Sequence, residues 1–167
     1  MTTDPRSHDP SAFGVAPANA EGVDAAAQSL AEDCARAMWQ RDTASQSLGM
    51  RLDEISPGRA VMVMKVRPDM LNGHQTCHGG FIFALADSAF AFACNSHNRV
   101  TVAAGCQIDY LAPGREGEQL RAEAQERARG GRTGVYDVTV TNPAGQTVAL
   151  FRGKSHQLQG EVLATPG

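Results

Sequence analysis

Thirteen residues from Phe81 to Ala93 are apolar at every position except Asp87 and Ser88, and this run constrains the fold more than any other part of the chain. It is longer than a typical strand, and its alanine and phenylalanine content, with Ile82 its only β-branched residue, predicts a helix. A helix that is apolar on all sides belongs inside a protein. A polar loop, Leu71 to Gly80, leads into it, and the last two loop residues, Gly79 and Gly80, open the helix.

The rest of the pattern is mostly strand. Met50 and Leu52 run into a turn at Ser56-Pro57-Gly58, and Ala60 to Val66 follows, which predicts an antiparallel hairpin stopped by Pro68. Beyond the apolar helix, Thr101 to Leu111, Gln119 to Ala128, Val135 to Thr141 and Thr147 to Gln157 read as four strands. Turns at Pro113-Gly114, Gly130-Gly131 and Asn142-Pro143-Ala144-Gly145 separate them. Upstream, Ala27, Leu30, Ala31, Cys34, Ala37 and Met38 recur at helical steps behind Asp24, a candidate N-cap. Two strands, a long helix and four strands predict an α+β fold, one antiparallel sheet curled around a central helix with no second helix to cover it. Residues 1–23 and 161–167 are expected to be flexible tails on a single domain, 24–160.

Composition removes several functions. In 167 residues, 15 basic and 18 acidic side chains leave a formal charge of -3, so the chain lacks the field that holds nucleic acid. It has no apolar run of membrane-spanning length, and its start is not that of a signal peptide, so a cytoplasmic protein without a membrane partner is expected. Cys34, Cys77, Cys94 and Cys106 form no C-x-x-C pair and are expected to be reduced and mostly buried.

Asp87 is the residue that most needs explaining, because an ionised carboxylate among Phe83, Ala84, Phe90 and Ala91 is costly to desolvate. It is either a structural group paired with the backbone or with an arginine such as Arg99, or a nucleophile or general base in a dry cleft. Gly79 and Gly80 place unpaired N–H groups, unshielded by Cβ atoms, at the positive end of the helix, an arrangement suited to an oxyanion. Eight residues separate Gly79 from Asp87, about 12 Å along a helix and too far for one carbonyl. If both act together they come from different chains, as in a two-fold dimer of antiparallel helices with two equivalent sites.

Other clusters carry less. His74-x-x-x-His78 with Cys77 lies in a Gly-containing loop rather than on the helix that a histidine metal pair needs, and no metal is expected. Cys77 beside His78 is expected to pack rather than to act as a nucleophile. Along the last strand, Leu150, Arg152, Lys154 and His156 share a face with Val148, opposite Ala149, Phe151, Gly153 and Ser155. Arg127, Arg129 and Arg132 gather at a hairpin, either a solvated turn or a docking surface for an anionic, phosphate-bearing group. Met70, Phe81, Phe83, Phe90 and Phe92 line either an acyl pocket or the core.

From about Ala27 to Gly160 the chain resembles the bacterial phenylacetic acid degradation thioesterases (PaaI type) of the hotdog superfamily. The segments that carry the resemblance are LNGHQTCHGGFIFALADSAFAFACNS, DYLAPG, GRTGVYDVTVTN and TVALFRGKSH. The resemblance implies a sheet wrapped around the core helix, subunits paired edge to edge, and dimers that associate into tetramers. It also implies hydrolysis of acyl-coenzyme A thioesters, particularly phenylacetyl-CoA and its ring-hydroxylated relatives, in aromatic catabolism, without cofactor or metal. By the same resemblance Asp87 is the acidic catalytic residue and Gly79 the carbonyl-polarising glycine. Asn72 is the loop asparagine that binds the attacking water or the carboxylate, and His78 a catalytic-loop residue that also orients the loop. Gly80, Arg132, Thr133, Lys154 and Ser155 are then expected at the substrate and coenzyme A. Two other functions remain, a non-catalytic acyl-CoA or aromatic-ligand sensor and a hotdog hydroxyacyl dehydratase.

Overall fold

The apolar run folds as the helix its composition predicts and extends past it at both ends, to Gly79–Asn95. The computed structural model describes residues 24–163, so the expected N-terminal tail and residues 164–167 lie outside the described residues. In chain order the elements are α1 (Ala25–Trp39), α2 (Thr43–Ser47), β1 (Met50–Ser56), β2 (Arg59–Lys65), a 3-10 turn (Pro68–Met70) and α3 (Gly79–Asn95). Then follow β3 (Thr101–Tyr110), β4 (Gln119–Gly130), β5 (Thr133–Thr141) and β6 (Thr147–Gln157). All six strands form one antiparallel sheet in the order β1-β2-β4-β5-β6-β3, with β1 and β3 at its edges.

The inner face of the sheet wraps α3. Met62 and Met64 of β2, Leu120 and Ala122 of β4, Tyr136 and Val138 of β5 and Phe151 of β6 are buried with Ile82, Leu85, Ala89 and Phe90 of the helix. Phe90 is the hub, with ring centroids 5.4 Å from Tyr136 and 5.9 Å from Phe151. It lies flat against Gly153 of β6, where a methyl group would stand 2.8 Å from the ring. That contact explains a glycine in the middle of a central strand, where only the absence of a side chain admits the ring. On β6 the predicted alternation holds, with Leu150, Arg152 and Lys154 exposed and Ala149, Phe151, Gly153 and Ser155 buried, while Val148 is buried despite its place on the outer face.

Three expectations need correction. A second helix does cover part of the core: α1 buries Ala31, Cys34, Ala35 and Trp39, and Trp39 lies 6.2 Å from Phe92. Its N-cap is Asp24, whose carboxylate accepts from Ala26 N–H at 3.1 Å. Nor is α3 buried all round. Gly80, Phe83, Ala84, Asp87, Ser88 and Ala91 recur at three- and four-residue steps and form a stripe that stays at least partly open. Finally, residues 161–163, expected in the C-terminal tail, pack on the domain: Val162 is buried, Arg41 donates to its carbonyl, and Leu163 N–H donates to Asn98 Oδ1.

Helix α2 lacks an apolar period and is held by polar contacts instead. Asp42 caps it through Ser45 N–H, and the buried Ser45 hydroxyl bonds Ser88 of α3 at 2.8 Å. The four cysteines are free, three of them buried and Cys106 part exposed. No helix among the described residues is long and apolar enough to cross a membrane.

Candidate active site

The loop before α3 is fixed largely by its own backbone and one asparagine. Asn72 N–H donates to Thr76 O at 2.8 Å, and Asn72 Oδ1 accepts from His74 N–H at 2.8 Å and from Thr76 N–H at 3.3 Å. Its side-chain oxygen therefore closes its own loop as an Asx turn, and the contact expected of Asn72 with the attacking water or the carboxylate is left to the Nδ2 end. Cys77 N–H donates to Gly114 O and His78 N–H to Met70 O, both at 2.8 Å, so the chain enters α3 at a set angle. Cys77 is buried, with a pKa pushed up to about 11 by desolvation, and its thiol donates to the His78 carbonyl rather than meeting the imidazole, which fits packing.

His78 is the N-cap of α3. Its Nδ1 accepts from Gly80 N–H at 3.0 Å and its carbonyl from Phe81 N–H at 2.9 Å. The Gly80 N–H, expected at the substrate, is thus already taken. Gly79 N–H donates to no protein group among the described residues and stands at the positive end of a seventeen-residue helix. Two features not foreseen from sequence surround it. Tyr110 Oη donates to the Gly79 carbonyl at 2.9 Å, and the Tyr110 ring lies where a side chain at residue 79 would stand.

Asp87 lies two turns further on, on the open stripe. It pairs with neither the backbone nor Arg99, whose nearest acidic partner is Glu161 at 3.9 Å. Ser88 turns to Ser45 instead. Among the described residues the one donor to Asp87 is the Cys106 thiol of β3, 3.9 Å from Oδ1. Burial holds the carboxyl above the ordinary carboxylate range, and the thiol contact opposes that shift. The same neighbourhood keeps Cys106 protonated, because desolvation and the Asp87 charge both raise its pKa.

The residues expected at coenzyme A do not share one surface. Arg132, Thr133 and Ser155 line a small cleft with Arg99, Arg129 and Tyr136, whereas Lys154 points to the opposite face of β6. Arg132 Nε donates to Gln157 O at 2.9 Å and Thr133 Oγ1 to Gly130 O at 3.1 Å. The arginine cluster is also less free than its composition suggests. Arg127 and Arg152 share Asp137, and Arg129 lies 3.6 Å from Glu126. Of the residues expected to line an acyl pocket or the core, Phe90, Phe92 and Met70 are core, and Phe81 and Phe83 are partly exposed.

Strand alternation could have found Tyr110 and Cys106. Residues 106, 108 and 110 face the helix together, four strand residues spanning about 13 Å against eight helical residues spanning about 12 Å. The strand therefore runs along α3 with Cys106 at Asp87 and Tyr110 at Gly79.

Known proteins share the sequence pattern and the fold. Residues 74–149 match the model of the thioesterase superfamily. The acyl-coenzyme A thioesterase PaaI of Escherichia coli is 50% identical over 128 residues, 77% of this chain and 91% of that protein. The solved structure of the E. coli PaaI protein from the phenylacetic acid degradation operon superposes with a TM-score of 0.79 at 48% identity, covering 80% of this chain and 97% of that one. A hypothetical thioesterase from Streptococcus pneumoniae, solved with coenzyme A, matches with a TM-score of 0.64 at 26% identity, covering 67% and 90%. The chain belongs to the thioesterase superfamily, as an acyl-coenzyme A thioesterase of PaaI type with the hotdog fold.

Proposed function

We propose that the chain hydrolyses phenylacetyl-CoA and ring-hydroxylated phenylacetyl-CoA to free acid and coenzyme A in phenylacetate catabolism, in a homo-oligomer whose subunits share active sites. One observation carries the mechanism: a free N–H at the head of α3 and, on the same helix, a partly buried carboxylate without a cationic partner among the described residues. Gly79 N–H receives the thioester oxygen and stabilises the charge that develops there. Asp87 of a second subunit takes a proton from water as it attacks the carbonyl carbon, or attacks that carbon itself to give a mixed anhydride that water then hydrolyses; in either course the C–S bond breaks and coenzyme A leaves as a thiolate that takes up the proton released from water. Asn72 Nδ2 is the end of that side chain able to orient the water or the carboxylate, and His78 holds Gly80 so that the helix head stays open. The chemistry needs no metal or cofactor, because charge at the carbonyl oxygen is met by backbone N–H and the proton by a carboxylate.

The partner requirement follows from the spacing of about 12 Å between the two groups along one helix. It is supported by the edge strand β3, whose outer edge pairs with no strand among the described residues and whose Val102, Tyr110 and neighbouring Leu111 are 43%, 50% and 60% exposed. For the substrate, the small cleft with Arg99, Arg129, Arg132, Thr133 and Ser155 offers cationic side chains for the phosphates of coenzyme A, and Lys154 would reach them from another subunit. Thiol release is measured from phenylacetyl-CoA, a hydroxyphenylacetyl-CoA, benzoyl-CoA and a medium-chain acyl-CoA, with wild type and Asp87→Asn side by side. Cleavage of the arylacetyl esters by wild type alone is expected. Preference for the medium-chain ester overturns the substrate assignment, and equal turnover by Asp87→Asn overturns the role of the carboxylate.

A further inference from the structure

Gly79 presents a problem that its role as a donor does not solve. A glycine at the first position of a helix lacks the steric restraint a Cβ supplies, so its peptide has more freedom than any other in that turn. A donor that stabilises developing charge must already point the right way before the charge appears. His78 supplies part of the restraint, since its carbonyl, in the same peptide plane as the Gly79 N–H, accepts from Phe81 N–H at 2.9 Å and its Nδ1 accepts from Gly80 N–H, but neither bond holds the Gly79 Cα or the Gly79 carbonyl.

Tyr110 holds both. Its hydroxyl donates 2.9 Å to the Gly79 carbonyl, and its ring fills the space beside the Gly79 Cα, where a methyl group would meet Cζ at 3.0 Å and Oη at 3.1 Å. The contact is thus both polar and steric, and the tyrosine stands where residue 79 has no side chain of its own. Tyr110 sits at the end of β3, paired on one side with Ala149 of β6 and on the other with no strand among the described residues. The same inward face of β3 brings Cys106 to Asp87, so the strand is in register with both ends of the reactive stripe of α3.

We propose that Tyr110 is a positioning residue for thioester hydrolysis, holding the Gly79 Cα by ring contact and the Gly79–Gly80 peptide by its carbonyl, so that the adjoining His78–Gly79 peptide cannot turn about Gly79 and its N–H stays aimed at the thioester oxygen. This rests on the reading of Gly79 as the oxyanion donor. It adds that the donor is set by a side chain from the edge strand rather than by the helix alone.

The test is Tyr110→Phe in the full chain, which keeps the ring and removes the hydroxyl, compared with wild type and Asp87→Asn. With phenylacetyl-CoA, kcat falls about tenfold or more, part of what removal of a whole donor costs, while KM stays within about twofold, since ground-state binding is untouched. Hydrogen–deuterium exchange of the peptide covering Leu71–Ile82 speeds up in the same variant, a readout independent of turnover. Wild-type kcat overturns the proposal, whether or not exchange changes, because a restraint without catalytic consequence is merely structural. A loss of kcat that tracks a loss of folded protein overturns it as well. Loss of turnover in Tyr110→Phe while Asp87→Asn stays active would refute the role of Asp87 and leave Tyr110 standing.

Discussion

Gly79→Ala separates the two things a glycine can do at the head of a helix. The backbone at this position does not have a positive φ, so alanine adopts it without strain. On that ground alone the substitution stabilises the fold by about 0.4–1 kcal/mol, through the smaller entropy of the unfolded chain. Against this stands the Tyr110 ring, which the new methyl group meets at 3.0 Å. Those atoms are the far end of a half-exposed side chain, so the ring can swing outward, and the cost is one solvent-accessible hydrogen bond of about 0.5–1.5 kcal/mol. The two effects nearly cancel, and at about 2–4 °C per kcal/mol for a domain of this size the melting temperature should stay within about 4 °C of wild type. Activity should not survive in the same way, because the methyl group displaces Tyr110 and crowds the one free N–H at the helix head, and loss of such a donor costs about 10²–10³ in kcat. Differential scanning calorimetry and thiol release on one preparation read both. A melting temperature lowered by 10 °C or more would show that the ring cannot yield, and kcat within threefold of wild type would remove Gly79 as the donor.

Three further outcomes follow from the same geometry. The Asp87 carboxyl titrates higher in the folded chain than in the unfolded one because burial disfavours its charge, so the unfolded state loses its proton first and stability falls as pH rises through the raised folded value. Asp87→Asn should therefore melt above wild type at pH 7, with a difference that shrinks toward pH 3; a variant less stable than wild type at pH 7 would contradict this. At Cys106, replacement by alanine removes the donor to Asp87 and should move the acid limb of the pH–rate profile to higher pH. Serine, a better donor, should move it lower, and superimposable profiles would show that the 3.9 Å contact has no electrostatic effect. In the core, Gly153→Ala drives a methyl group to 2.8 Å from Phe90, a ring hemmed by Tyr136 and Phe151, and should cost about 1–3 kcal/mol by chemical denaturation. Gly130→Ala, with nothing within 4 Å, should be close to neutral.

The strands and the central helix were legible because each is long and keeps one period; β5, for instance, alternates buried and part-exposed residues from Gly134 to Thr141 as a strand with one wet face must. Asp87 and Gly79 stood out for a different reason, since each departs from its surroundings, a charge in an apolar run and a glycine at a helix head. Helix α2 was invisible because four polar residues and an alanine have no period to read, and what holds it is a hydroxyl pair between Ser45 and Ser88, forty-three residues apart. The open stripe on α3 was missed because phenylalanine and alanine read as apolar whether or not anything covers them. The residues expected at coenzyme A do not form one surface, as the alternation along the last strand already implied by setting Lys154 and Ser155 on opposite faces.

Strand β3 links the chemistry of the site to its assembly. It is an edge strand, and of its inward residues Cys106 touches Asp87 and Tyr110 touches Gly79. The two reactive groups it aligns cannot meet on one carbonyl within a chain, because the helix holds them about 12 Å apart. A second copy paired along the free edge of β3 would cover the exposed Val102 and Tyr110 and bring another such helix alongside, in the one place where the opposite end of the stripe is needed. In the proposed dimer the element that closes the sheet edge is also the element that aims the donor and touches the carboxylate. Assembly and catalytic alignment then rest on the same ten residues, and a substitution that loosens β3 should lower turnover even where it leaves Asp87 and Gly79 intact.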